Sequence, residues 1–221
     1  MVEKPSMSSS PYVPTEYWRK AGKTYQQDFS RNSLHPIRRA AFHAQTRVLM
    51  KLLKSLAFSS VLEIGCGFGR ITKILVETFP GIKLYDALDL SPEQIANAQS
   101  YVQSDKVTYY CSTFQDFQLP TGRSYDLVLA SEVLLHVPPA EIEAFVHKMV
   151  SLSLMHVVHI DWYPKTIPER VDYHNFPHNY EIIYRDLGSR IQRLEVLRIT
   201  GPVFFLVPMD FGQSVFHVVV S

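Results

Sequence analysis

The chain is 221 residues long, 46% apolar, with a formal net charge of +1. That length fits one domain with a small appendage, and the near-neutral charge leaves no electrostatic footprint for nucleic acid or an anionic membrane. No stretch approaches the ~18 apolar residues of a spanning helix, and Cys66 and Cys111 have no metal spacing, so they read as free thiols in a reducing cytoplasm.

Residues 1–14 are rich in Ser and Pro without an apolar run, which predicts a disordered lead-in and not a signal peptide. Residues 15–35 hold Tyr17, Trp18, Tyr25 and Phe29, expected on one or two short helices outside the core. Pro36 opens a long amphipathic helix: Ile37, Ala40, Ala41, Ala44, Val48, Leu49, Leu52, Leu53 and Leu56 recur at helical spacing. Arg38, Arg39, Arg47, Lys51 and Lys54 fall mostly on its other face, most simply a solvated one.

From residue 60 strand and helix signals alternate. Val61–Ile64 reads as a strand, and a helix runs from the glycines to about Phe79, where Pro80-Gly81 breaks it. Ile82–Leu88 is the second strand. Ser91, Pro92 and Gln94 then give an N-cap, a first-turn proline and a capping box. Further strands are expected at Val107–Cys111, Tyr125–Ala130 and Leu154–Ile160, with a helix from Pro138-Pro139 through Val150. Residues 163–180 read as loop, Tyr180–Leu187 as a short helix stopping at Gly188, and Gln192–Thr200 and Ser214–Val220 as two strands without a helix between them. Alternation predicts a three-layer α/β sandwich on a seven-stranded, mostly parallel, doubly wound sheet. The final hairpin makes the last strand antiparallel.

The densest signal is Glu63-Ile64-Gly65-Cys66-Gly67-Phe68-Gly69-Arg70. A strand ends in glycines at every second position and a helix follows at once, which lets a ligand lie against bare backbone at a helix N-terminus. A dinucleotide fingerprint wants G-x-G-x-x-G. Here the third glycine comes one residue early, and Glu63 would repel phosphates. E-x-G-x-G-x-G instead resembles the first motif of the class I S-adenosylmethionine (SAM) methyltransferases, whose cofactor carries a cationic amino acid end.

Three further stretches resemble that superfamily in order, and the resemblance covers about residues 37–220. Tyr85 to Pro92 is similar to its second motif, which makes Asp89 the expected partner of the ribose hydroxyls, Asp86 the weaker candidate, and Leu90 a neighbour of the cofactor. Val107 to Asp116 resembles the third, with Thr113 where members often carry an adenine-binding Asp and Phe114 flanking the ring; Gln115 or Asp116 is the alternative contact. Tyr125 to Val137 resembles the fourth, placing Ser131, Glu132 and Val133 beside the methionine part. The resemblance also assigns Glu63, Gly65, Cys66, Gly67 and Gly69 to the cofactor site, with residues 15–35 as a lid.

It implies transfer of a methyl group from SAM to a nitrogen or oxygen of a small polar or heteroaromatic molecule. Candidate catalytic residues are His136, His174 and Asp161; candidate substrate contacts are Tyr17, Trp18, Tyr25, Trp162, Tyr163 and His178. Plainer readings stand beside these: His136 as a helix-start residue, Asp161 in a salt-bridged turn, His174 and His178 as loop histidines. The last two have metal-ligand spacing without a third ligand, so no metal is expected. Asn-Pro-Pro-Tyr, the signature of base or glutamine methylation, is absent. A peptide substrate, a non-catalytic SAM-binding role, and a tRNA docked on Arg38, Arg39, Arg47, Lys51 and Lys54 remain alternatives; an NAD oxidoreductase is opposed by the glycine spacing. Monomer and homodimer are both open.

Overall fold

The computed structural model describes residues 12–166, 171–203 and 207–221. Helices α1 (Pro14–Gly22), α2 (Tyr25–Asn32) and α3 (Pro36–Leu53) precede the sheet. Then come β1 (Ser60–Ile64), α4 (Arg70–Thr78), β2 (Leu84–Asp89), α5 (Pro92–Val102), β3 (Val107–Cys111) and β4 (Tyr125–Ser131). The chain closes with α6 (Ile142–Leu152), β5 (Ser153–Trp162), α7 (Tyr180–Asp186), β6 (Ile191–Val203) and β7 (Val207–Val220). Of the expected lead-in, residues 1–11 lie outside the described residues. Tyr12 is packed against His136, and Pro14 already belongs to α1.

The seven strands are ordered β3-β2-β1-β4-β5-β7-β6, and β7 alone runs antiparallel to its neighbours. Side-chain alternation in each strand feeds two cores. Leu62, Ile64, Val128, Ala130 and Val157 face α6 and α7; Val61, Leu127, Leu129, Val158 and Ile160 face α3, α4 and α5. Order reverses between β1 and β4, so the strand ends diverge there and leave a crevice.

The glycines shape that crevice. Gly65, Gly67 and Gly69 all have positive φ. A Cβ on Gly65 would meet Val133 Cγ2 at 2.5 Å, and one on Gly69 would meet Val102 Cγ2 at 2.6 Å and the Ala98 backbone at 3.3 Å. Gly69 thus serves close packing of α4 on α5. Gly69→Ala is expected to cost about 2–3 kcal/mol from the left-handed φ and the overlap. The thermal midpoint should fall by about 4–10 °C in a denaturation scan; an unchanged midpoint would contradict this packing role.

Several expected details moved: β2 is Leu84–Asp89 and not Ile82–Leu88, and β7 begins at Val207 and not Ser214. Strand β5 runs through Trp162, because Asp161 and Trp162 continue the ladder opposite Ser214 and Gln213. Helix α6 starts at Ile142, after a turn containing Pro138 and Pro139. Ser91 does cap α5, its hydroxyl accepting from the Gln94 backbone N–H at 3.4 Å, but the Gln94 side chain does not close the box: it donates to the Gly22 carbonyl and ties α5 to α1.

Candidate active site

A cavity of about 740 Å³ opens at the carboxyl ends of the strands, against the glycine loop and under α1 and α2. Its size falls in the range of ligand pockets, about 300–1,000 Å³.

Asp89 ends β2 at its floor. One carboxylate oxygen accepts from the Gly67 backbone N–H (2.9 Å) and the other from Ser91 N–H (2.9 Å), so the residue pins the glycine loop to the start of α5. Burial pushes its carboxyl up from the ordinary value, against those backbone donors, which favour the charged form. Gly65, Gly67, Leu90, Phe114, Ser131, Glu132 and Val133 also line the cavity. Glu132 has a left-handed φ of 58°, fixed by its N–H donating to Ile160 O (2.6 Å) and its carboxylate accepting from Gln213 Nε2 (2.5 Å). Thr113 lines the wall, but its hydroxyl donates to Asp116 (2.7 Å) and accepts the Asp116 N–H (3.0 Å). Both its polar functions are spent on that turn, and Gln115, whose Nε2 donates to Glu141, lines the cavity as well.

Four buried polar atoms on the lining have no partner among the described residues: Gln94 Oε1, Ser131 Oγ, His174 Nδ1 and Asn175 Oδ1. Buried polar groups are ordinarily paired, so these atoms fit a polar ligand. With the bare backbone at Gly65 and Gly67, the apolar wall of Phe114 and the carboxylate of Asp89, the residues present suit an adenosine-containing molecule with a zwitterionic end.

His136 sits in a short turn (Leu134–His136) beyond β4. Its Nδ1 donates to the His174 carbonyl (2.9 Å); because that carbonyl can only accept, Nδ1 carries the hydrogen and Nε2 is the ring's proton acceptor. Burial lowers its pKa to about 4. The Trp18 ring lies 4.5 Å away, and Tyr17 stacks on His174 at 4.6 Å. Trp18 Nε1 donates to Tyr12 OH (3.0 Å), and Tyr12 OH donates to His136 O (3.1 Å), which docks α1 over the turn. Trp18, Tyr25, Phe29 and Asn32 bring the inner faces of α1 and α2 to the cavity.

Several expected residues stand elsewhere. Glu63 does not line the cavity: strand parity turns it toward α4, where it accepts from Thr72 Oγ1 and Tyr85 OH, both at 2.6 Å, and burial pushes its pKa up to about 7. Cys66 is buried in the core and Gly69 faces α5. Asp86 is fully buried, paired with Arg123 and accepting from Tyr125 OH at 2.6 Å. Trp162 packs beside Gly212, and Tyr163 donates to Glu181 at 3.1 Å. His178 bonds Val137 O through Nε2 (3.0 Å); together with Phe176 N–H to Leu135 O (2.7 Å) it fastens the loop that carries His174. Tyr17 does not line the cavity and reaches it through His174 and Trp18.

Asp161 is also sealed from the cavity. One oxygen accepts from His159 Nδ1 (2.8 Å), the other from the Leu135 N–H (3.1 Å), next to His136. That makes it a positioning residue. Asp161→Asn is expected to lower kcat about tenfold or more through a displaced His136, with KM values little changed; a loss confined to stability would refute the positioning role. Among the described residues no cluster of three His, Cys, Asp or Glu could hold a metal, and no helix is long and apolar enough to cross a membrane.

A methyltransferase domain family matches residues 61–153. The chain is 30% identical over 112 residues to malonyl-[acyl-carrier protein] O-methyltransferase of Acetivibrio thermocellus, covering 49% of this chain and 38% of that one. It is 30% identical over 78 residues to ubiquinone biosynthesis O-methyltransferase of Vibrio vulnificus, 35% of this chain and 33% of that one. The chain thus matches only about a third of the length of these curated relatives. Among solved structures it resembles magnesium protoporphyrin IX methyltransferase from Synechocystis PCC 6803 with bound SAM (TM-score 0.67, 21% identity, 97% of this chain and 100% of that one). It also resembles an N-methyltransferase from Bradyrhizobium japonicum WM9 (TM-score 0.63, 21% identity, 85% and 98%). At those identities the likeness establishes the shared fold.

Proposed function

We propose that this chain, which belongs to the class I SAM-dependent methyltransferase superfamily, transfers a methyl group from SAM to a nitrogen or oxygen of a small polar or heteroaromatic molecule. The observation that carries the reading is Asp89, at the end of β2 on the cavity floor and bonded to the Gly67 N–H at 2.9 Å. In this reading Asp89 accepts both ribose hydroxyls. Gly65 and Gly67 give the amino acid end access to backbone, Phe114 and Leu90 flank the adenine, and Gln115 takes the adenine amino group in place of Thr113. Glu132 and Ser131 face the methionine part.

When bound, SAM supplies a methyl group already activated on a sulfonium. The protein aligns the acceptor in line with it and excludes water. Trp18 and Tyr25 cover the site, and an aromatic face suits a sulfonium. His136 Nε2 receives the acceptor's proton as the new bond forms; His174, through its backbone carbonyl, sets the ring that does so. We place the reaction in the cytoplasm, supported by two unpaired cysteines.

A lysate of small metabolites incubated with trideuteromethyl-SAM tests the reading. Mass spectrometry should find the label on one small molecule's nitrogen or oxygen. Label on protein alone would move the activity to a peptide side chain. Tight cofactor binding with no label anywhere would favour a binding protein.

A further inference from the structure

The charges around the cavity are one-sided. Asp28, Asp89, Glu132 and Glu141 line it, and among the described residues no Lys or Arg does. Three of these carboxylates are held by neutral donors: Asp89 by backbone N–H groups, Glu132 by Gln213, Glu141 by Gln115 at 3.1 Å. Asp28 accepts from Thr24 Oγ1 at 2.8 Å and has Arg31 only at 3.7 Å, on the solvent side of α2.

Two further cations, Arg70 and Lys148, are occupied by other partners. Arg70 lies over the Phe29 and Phe42 rings and donates to Gln45 (2.6 Å) and Thr46. Lys148 donates to the carbonyls of Phe114, Gln115 and Phe117 at 2.7–2.9 Å. Two of the unpaired lining atoms, Gln94 Oε1 and Asn175 Oδ1, are acceptors, and Gln94 is only 3% exposed. A bound SAM contributes one net positive charge, fewer than the carboxylates around it.

We propose that the site selects aromatic or heteroaromatic acceptors carrying a positive charge or none, and rejects carboxylates and phosphates. An anion would lose its hydration and find no lining cation among the described residues to replace it, beside carboxylates that repel it. A cation gains from Asp28 and Glu132 and from the faces of Trp18 and Tyr25. The proposal rests on the methyltransferase reading above.

Three probes with one ring and different charge test it: tyramine (cation), tyrosol (neutral) and 4-hydroxyphenylacetate (anion). The chain has two tryptophans. Trp18 lines the cavity and Trp162 does not, so the two indole N–H signals in a nitrogen-15 spectrum give a reporter and a control. Calorimetry with S-adenosylhomocysteine comes first, since absence of binding there defeats the methyltransferase reading by itself. The probes are then titrated with and without saturating S-adenosylhomocysteine.

Tyramine should shift the Trp18 signal at a concentration at least about tenfold lower than the anion, with tyrosol between them, while Trp162 stays still. Asp28→Lys should raise the anion's affinity about fivefold. Equal responses to all three probes, a uniform lack of response included, or strongest binding by the anion would overturn the proposal.

Discussion

Asp89→Ala should weaken S-adenosylhomocysteine binding by about a hundredfold or more in a calorimetric titration. Hydrogen bonds to a charged group are worth about 1.5–3 kcal/mol each, and two ribose hydroxyls share this carboxylate in the proposed reading. At about 1.4 kcal/mol per decade, losing both exceeds two decades of affinity. The substitution also strips acceptors from the Gly67 and Ser91 N–H groups, so the glycine loop loses the anchor that holds its shape. Asp89→Asn keeps one acceptor and should fall between wild type and alanine. The fold itself rests on two cores that Asp89 does not join, so circular dichroism should be unchanged. Wild-type affinity in the alanine variant would remove Asp89 from the cofactor site.

His136→Ala should lower kcat by about two to three orders of magnitude, the usual worth of a positioned base, while cofactor affinity stays within about threefold. The imidazole must be neutral to accept a proton. Because burial holds its pKa near 4, wild-type kcat should be level from neutral pH down to about pH 5. It should then fall as the pH passes through about 4, where the ring becomes protonated. The variant should lose that acid limb, and added imidazole should restore part of its turnover. Removal of the side chain also deletes the bond to the His174 carbonyl, and the imidazole rescue distinguishes a missing base from a loosened loop. Full activity in His136→Ala would mean that the acceptor needs no base or that the base is elsewhere.

Much of the fold was legible because strand, glycine turn and helix each leave a pattern in the chain. The inner parallel strands β1, β2, β4 and β5 are mostly buried on both faces and read as largely apolar runs, while the edge strand β3 is half-exposed. The hairpin was visible as two strands with no helix between them. Side-chain direction was harder. Glu63 precedes the first glycine by two residues and was expected to face the cofactor, but β1 alternation puts it on the α4 side with Val61. The same effect removed Asp161 and Trp162 from the mouth: β5 runs two residues past its expected end, and its ladder with β7 fixes both.

Long-range polar contacts left no local signal. Gln94 was expected to complete a helix cap and instead reaches Gly22 on α1. Thr113 was expected at the adenine and instead closes a turn with Asp116, a local contact three residues on that competes for the same hydroxyl. His178 was expected in the substrate pocket and instead clasps the loop behind it. On α2 only Tyr25 was expected at the site, whereas Phe29 and Asn32 line the cavity as well. Tyr25, Phe29 and Asn32 recur at helical spacing, and that periodicity was the available clue to a face that covers the cavity.

The most direct test is a crystal structure of the chain with S-adenosylhomocysteine. The account predicts the ribose on Asp89, the adenine between Leu90 and Phe114, and the sulfur facing a space bounded by Trp18, His136 and Asn175. A ligand bound away from Asp89, or a protein that takes up none at saturating concentration, would contradict it.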